Sequence, residues 1–404
     1  MIRAFAGPRF SPPTDMHICH VITRLIIGGA QENTVLSCEG LHELGHKVTL
    51  VSGPTTGPEG ALLARVRAGG YQFIEVPELV RAIRPLTDWR CRQKLIDVYR
   101  TIRPDIVHTH SSKAGILGRE AARAARVPHI VHTVHGMSFN RTQPWPVREL
   151  YRRLEKHCAK FSDAIVAVAD AMCDQMFAAR VCGRDKLSTI YSGMEVEHFD
   201  PARHDRAATR AAWGVGDEHI VIGAVARLFR RKGYEQLIPI MHTLAAVEPR
   251  LRFVWVGDGA QRSEYEQRLG ELGLRDKTTL VGLVPPAEVA RQLAGMDIVA
   301  HTSQWEGLPR VVVQALLMRV PVVAFEIDGT PEVVRDGETG RLIGLNQLAA
   351  FGDATLDLAN SPETRAKMGA AGRELCLARF DRRVMTQALD ELYQRLMANR
   401  STVQ

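Results

Sequence analysis

The chain has 404 residues, 45% of them hydrophobic and 24% charged, which is too long for one ordinary core and too near globular averages for a disordered or fibrous protein. No apolar run approaches the roughly 20 residues that span a bilayer, and seven scattered cysteines with no C-x-x-C spacing argue against a disulfide framework or a structural zinc site. The net charge of +7 is uneven: residues 81–160 hold 17 Lys and Arg against 6 Asp and Glu, which reads either as solvated helix faces or as a surface that attracts anionic lipid headgroups or a phosphate-bearing partner. No nucleic-acid partner is expected.

Residues 1–15 contain Arg3, Arg9 and several prolines and glycines but no apolar segment, so they are expected to form a flexible extension, not a secretory signal, with Met16 as an alternative start. Short β-branched runs then follow at 17–22, 47–52, 71–76, 105–110, 129–134 and 163–168, each an expected strand. Helical stretches lie between them, one over 31–44 that stops at Gly45, the residue type favoured just past a helix end. This alternation predicts a doubly wound parallel sheet. Apolar periodicity lapses through Phe199-Asp200-Pro201, which marks a linker, and a second series begins at 219–226 and continues at 252–257, 278–282, 297–302 and 321–326. These nearly continuous apolar runs suit a sheet covered on both faces. Met385, Leu389, Leu392 and Leu396 recur at helical spacing, a stripe expected to cross back to the first domain. The predicted organisation is an extension over 1–15, an α/β domain over 16–200, a second over 201–380 and a crossover helix over 381–404.

Several loops carry candidate chemistry. Gly28-Gly29-Ala30 lies between the first strand and its helix, where glycine lets backbone amides meet a phosphate, although the pattern is not G-x-G-x-x-G and gives a nicotinamide cofactor little support. Histidines gather at His108, His110, His129, His132 and His135, but no nearby set of Asp, Glu or Cys completes a ligand shell, so no metal is expected. His135, at a strand end beside Gly136, is the one best placed to meet substrate. Arg227 falls at the carboxyl end of a strand and Lys232 just before a helix, the edge at which open α/β sheets bind ligands. Two cations there would stabilise a diphosphate as charge develops on its leaving oxygen, without a divalent metal. Gly257 and Asp258 end another strand, with Asp258 expected to touch the ligand or, more simply, to cap a helix. Ser303-Gln304-Trp305-Glu306-Gly307-Leu308-Pro309 joins a strand to a helix, with Pro309 expected in the first helical turn and free amides at the positive helix end facing a phosphate. Gln314, on the nearly all-apolar helix that follows, needs either a core partner or a ligand hydroxyl.

Taken together, Gly28-Gly29-Ala30, Asp105-Ile106-Val107-His108-Thr109-His110, Val225-Ala226-Arg227-Leu228 with Lys232-Gly233, Gly257-Asp258-Gly259, Glu306-Gly307-Leu308-Pro309 and the Gly337–Gly340 pair resemble the retaining glycosyltransferases of family 4. The resemblance implies the GT-B fold, two Rossmann-like domains facing a cleft, and a hexosyltransferase that uses a nucleoside-diphosphate sugar, UDP-linked, without metal or other cofactor. It implies that Arg227 and Lys232 bind the diphosphate, Glu306 with Gly307, Leu308 and Pro309 the donor sugar, and Gly29 the phosphates from the opposite side, with His135 at the sugar's far end. The family pattern Glu-x7-Glu has Gln314 in its second position here, where the usual glutamate contacts ribose. The stretches 108–115 and 132–136 resemble members that build bacterial surface polysaccharide, which implies a saccharide or lipid-linked acceptor; the scattered cysteines suit a reducing, cytoplasmic setting, and the basic region over 81–160 suits an enzyme peripheral to the inner face of the plasma membrane. A nucleotide-sugar epimerase, and a catalytically weak scaffold that binds nucleotide, are the alternatives.

Overall fold

Nearly every apolar run read from the sequence becomes a strand, because a parallel sheet buried on both faces needs continuous hydrophobicity. The computed structural model describes residues 15–55, 62–140 and 143–401; apart from Asp15, the expected N-terminal extension lies outside them. The first sheet holds β1 (His17–Ile22), β2 (Lys47–Ser52), β3 (Gln72–Glu75), β4 (Ile106–His110), β5 (His129–Val134), β6 (Ala164–Ala167) and β7 (Leu187–Thr189), in the order β3-β2-β1-β4-β5-β6-β7. The second holds β8 (Ile220–Val225), β9 (Leu251–Val256), β10 (Thr278–Gly282), β11 (Ile298–His301), β12 (Val322–Phe325) and β13 (Gly340–Ile343), in the order β10-β9-β8-β11-β12-β13. The pairings β1 with β2 and β4, and β8 with β9 and β11, are parallel.

Two strands were not expected, β7 and β13. Both stand at a sheet edge, where one side is unpaired and the apolar pattern relaxes: all three residues of β7 are half-buried, as are Arg341 and Leu342 in the middle of β13. The helix expected over 31–44 spans Gly29–Glu43, and Gly45 follows its end at φ +93° with its amide bonded to His42 O. That left-handed residue ends the helix as the sequence implied.

The chain divides into two compact units, Met1–Thr133 with Arg153–Ile165 and Thr386–Gln404, and Val134–Arg152 with Val166–Met385. In the first, Val21, Val51, Leu95, Tyr99 and Val107 lie in one buried cluster. In the second, Trp255, Tyr234 and Tyr265 pack in tilted and edge-on contacts within a cluster that also holds Phe325 and Phe351. The C-terminal helix Arg382–Ser401 buries Met385, Leu389 and Leu392, and from Thr386 onward it belongs to the first unit, where Tyr393 Oη meets His108 Nδ1 at 2.5 Å and Asp390 meets His46 at 2.9 Å. Leu396 of the expected stripe is only half-buried. None of the seven cysteines forms a disulfide. Among the described residues no helix is long and apolar enough to cross a membrane.

Candidate active site

In the second sheet β8 and β11 are neighbours although two strands separate them in sequence, so the connections leaving them part to opposite sides. The carboxyl ends at such a switch point form the crevice where open α/β sheets take ligands. The loop after β8 brings Arg227 and Lys232 there, and the loop after β11 brings Glu306. Backbone contacts tie the two loops together: Gln304 N–H donates to Arg231 O at 2.9 Å and Thr302 Oγ1 to Gly233 O at 2.8 Å. Gly233 has φ +88°, and a Cβ on it would lie 1.8 Å from Thr302 O, so the approach requires glycine.

Lys232 Nζ and Glu306 Oε1 form an ion pair at 2.6 Å, with Glu306 the more enclosed partner. Burial alone would raise the Glu306 carboxyl, but the Lys232 charge, His301 and hydrogen bonds from Lys232 and Ser303 together hold it below its ordinary value. His301, at the end of β11, points Nε2 at the same carboxylate oxygen from 3.7 Å, too long for a hydrogen bond, and that buried nitrogen has no other partner among the described residues. Burial lowers His301 to about 4 despite the pull of Glu306. Arg227 is exposed, with its guanidinium 5.1 Å from the centre of the Phe229 ring. Arg230 pairs with Glu264 at the surface, at 3.3 Å.

The helix Arg310–Leu317 begins directly after the Glu306 loop. Pro309 is its N-cap residue instead of its first helical residue, one position earlier than expected, and its carbonyl accepts the Val312 amide at 3.0 Å. The amides of Gly307, Leu308 and Val311 meet no protein acceptor among the described residues, which leaves donors and the positive helix end available to an anion. Glu306 N–H is already taken: Asp328 Oδ2 accepts it at 2.9 Å, while Asp328 Oδ1 accepts from Gln175 at 3.0 Å. A Cβ on Gly307 would sit 2.2 Å from the His135 carbonyl oxygen, so His135 lies against this loop. Burial, aided by the Arg310 guanidinium, lowers the His135 imidazole to about 3, and it is neutral at physiological pH.

Gln314 is half-buried and its amide has no protein partner among the described residues, which removes the satisfied-core explanation for it. Gly257 sits at φ +137°, its would-be Cβ 2.1 Å from Ala226 O, so β9 ends tightly under the β8 loop. Asp258 does not cap the following helix. It accepts from the Gly259 amide at 2.7 Å and pairs with Arg262 at 3.0 Å, because Gln261 intervenes as the N-cap residue.

Gly29 belongs to the first unit, exposed at the start of the helix Gly29–Glu43, where the amides of Gly29, Ala30 and Gln31 meet no protein acceptor among the described residues. His132 is a core residue bonded to Thr109 Oγ1 at 2.9 Å. Sequence reasoning missed His301, Asp328 and Glu332, whose carboxylate accepts the first amides of the helix Asp170–Ala178 at 2.7 and 2.9 Å. The position of His301 at a strand's carboxyl end was the available signal for the first. Nothing local marks the other two.

Comparison with known proteins adds five findings. Residues 27–198 match the family described as Glycosyltransferase Family 4, and residues 205–375 the family described as Glycosyl transferases group 1. A protein of Escherichia coli named UDP-Gal:alpha-D-GlcNAc-diphosphoundecaprenol alpha-1,3-galactosyltransferase is 29% identical over 84% of this chain and 87% of its own. The candidate glycosyltransferase EpsD of Bacillus subtilis (strain 168) is 30% identical over 77% of this chain and 81% of its own. Among solved structures, Anabaena Alr3699/HepE in complex with UDP and glucose superposes with a TM-score of 0.81 at 20% identity, covering 94% of this chain and all of that one.

Proposed function

This chain belongs to glycosyltransferase family 4 and has its two-sheet GT-B fold, and from that premise we propose that it transfers a sugar from a UDP-linked donor to a hydroxyl acceptor with retention of anomeric configuration. The observation that carries the reading is the convergence of Lys232, Glu306 and the amides of Gly307, Leu308 and Val311, which meet no protein acceptor among the described residues, at the β8/β11 switch point. Lys232 and Arg227 take the diphosphate, and its developing negative charge is met by these cations and the helix end in place of a metal ion. An incoming diphosphate competes with Glu306 for Lys232, and the freed carboxylate then accepts hydroxyls of the donor sugar, while His135, neutral, hydrogen-bonds the sugar at its other end. Gly257 and Asp258 border the nucleotide, and Gln314 accepts from a ribose hydroxyl. In the transfer step the anomeric carbon–oxygen bond to the diphosphate breaks, the acceptor oxygen bonds to the same face of that carbon, and the departing diphosphate oxygen takes the acceptor's proton.

The E. coli relative's name specifies a lipid-diphosphate acceptor, which supports a saccharide or lipid-linked acceptor here and a cytoplasmic enzyme that visits a membrane surface. The exposed Ile83, Leu86 and Trp89 within the basic 81–160 region favour the same setting. Matches of both halves to glycosyltransferase families favour transfer over the epimerase alternative.

The test is transfer from UDP-glucose, UDP-galactose and GDP-mannose to lipid-linked and free saccharides, with the product's anomeric configuration read by NMR. Lys232→Ala and Arg227→Ala are each expected to lower kcat about 10²–10³-fold, the effect of removing one donor to transition-state charge. Near-normal turnover by both variants would refute the diphosphate site, and an inverted product would refute retention.

A further inference from the structure

Three histidines that the transfer reaction does not use meet on one face of the first sheet. β1 pairs with β4 in parallel with His20 opposite His108, and His110 lies two residues further along β4, so the two-residue strand period puts all three imidazoles on the same side. Each is at most 1% exposed. Ring centroids are 4.4 Å apart for His108 and His110, 5.1 Å for His20 and His108, and 5.2 Å for His20 and His110. One ring nitrogen from each lies within 4.8 Å of the other two, and the closest pair, His20 Nδ1 and His110 Nε2, is 2.9 Å apart. His20 Nε2 is buried with no hydrogen-bond partner among the described residues. Buried polar atoms are rarely left so, and three buried imidazoles gathered within ligand reach of one another, one of them with an unpartnered nitrogen, point to an occupant.

We propose that His20, His108 and His110 bind one divalent transition-metal ion of the zinc class. An all-imidazole set selects Zn²⁺, Co²⁺, Ni²⁺ or Cu²⁺ over Mg²⁺ and Ca²⁺, which require oxygen ligands. With Zn–N bonds of about 2.0–2.1 Å, the ligand nitrogens of a tetrahedral site stand about 3.3 Å apart, so the rings reach the ion by small rotations that widen the closest pair and draw in the rest. His108 has Nδ1 at 2.5 Å from Tyr393 Oη and Nε2 at 2.7 Å from Thr133 Oγ1. The ion takes one of these nitrogens, and the hydroxyl on the other becomes the outer partner that fixes the ring, as ligating histidines require. Because Tyr393 lies on the C-terminal helix, the ion would fasten that helix to the β1/β4 seam. Sequence spacing concealed the site because His20 arrives from a strand 88 residues before His108 and no Cys, Asp or Glu accompanies it.

The experiment uses the full chain, carrying no affinity tag, stripped with a chelator and titrated with Co²⁺. Expected are tetrahedral visible bands that saturate at one equivalent, vanish on addition of Zn²⁺, and are absent in His20→Asn and His110→Gln. X-ray absorption of the Zn²⁺-loaded wild-type chain should show three imidazole nitrogens at about 2.0–2.1 Å. Failure of the wild-type chain to take up Co²⁺ overturns the proposal, as do bands unchanged in both variants or fewer than three imidazoles around zinc. Circular dichroism checks the variants' folding, and if either is unfolded the wild-type titration and absorption spectrum decide alone.

Discussion

At Gln314 the family pattern and the geometry meet in one side chain. A half-buried amide without a protein partner among the described residues is available to a ribose hydroxyl, but as a neutral acceptor it forms a weaker bond than the carboxylate of the family pattern. The difference is about 1 kcal/mol, or roughly fivefold in binding. Gln314→Glu is therefore expected to lower the KM for the nucleotide sugar about fivefold with little change in kcat, since the ribose is held equally in ground and transition states. Steady-state kinetics with varied donor decide it: a KM that rises, or a change confined to kcat, removes Gln314 from the ribose. The Lys232–Glu306 pair has a different character. It places two groups with separate proposed duties in each other's grip, so both charges are compensated while largely enclosed.

At the scale of elements, the sequence was most legible where burial on two faces forces an unbroken apolar run. All eleven expected strands are present, whereas the edge strands β7 and β13 escaped because their environment asks for no such pattern. The candidate site followed the same rule: Arg227, Lys232 and Glu306 were singled out from their place after β8 and β11, while Asp328 acts through contacts with Glu306 and Gln175, which lie well before it in the chain, and His301, only five residues before Glu306, was passed over although it ends β11. One element showed more in three dimensions than in sequence. Charge marked residues 81–160, but the structure adds that Ile83 is 71% exposed, Leu86 76% and Trp89 61%, at the start of the helix Pro85–Ile102 among Arg81, Arg84, Arg90 and Arg92. Apolar side chains that enter the headgroup layer beside arginines that meet its anions are the makings of an interfacial anchor. Vesicles containing anionic lipid should sediment the chain, and the triple variant Ile83→Ser, Leu86→Ser, Trp89→Ser should reduce the bound fraction severalfold; binding indifferent to both lipid charge and the triple change would dismiss the anchor.

For the molecule as a whole, buried neutral histidines couple folding to pH. His135 and His301 are held at about 3 and about 4 by burial, against an ordinary 6.5 in the unfolded chain. Below pH 6.5 the unfolded state therefore binds two protons that the folded state refuses, so these groups make stability fall as pH falls, and the loss continues until the folded-state values are reached. Between pH 6 and pH 5 the two sites together cost about 2 kcal/mol, an appreciable share of the 5–15 kcal/mol that keeps a typical protein folded. Glu306 acts in a lower window: its depressed carboxyl adds stability above its ordinary value of 4.5 that is lost only as pH drops through the folded value, so the interval from 6 to 5 isolates the histidines. Denaturant unfolding at half-unit steps from pH 7 to pH 5 should show the wild-type free energy declining, with His135→Gln and His301→Gln each shallower by about 1 kcal/mol over the interval from 6 to 5 whatever their absolute stability. Parallel lines for wild type and both variants would mean that these imidazoles bind protons as readily in the folded protein as in the unfolded chain, and the claim that burial keeps them neutral below pH 6 would fall.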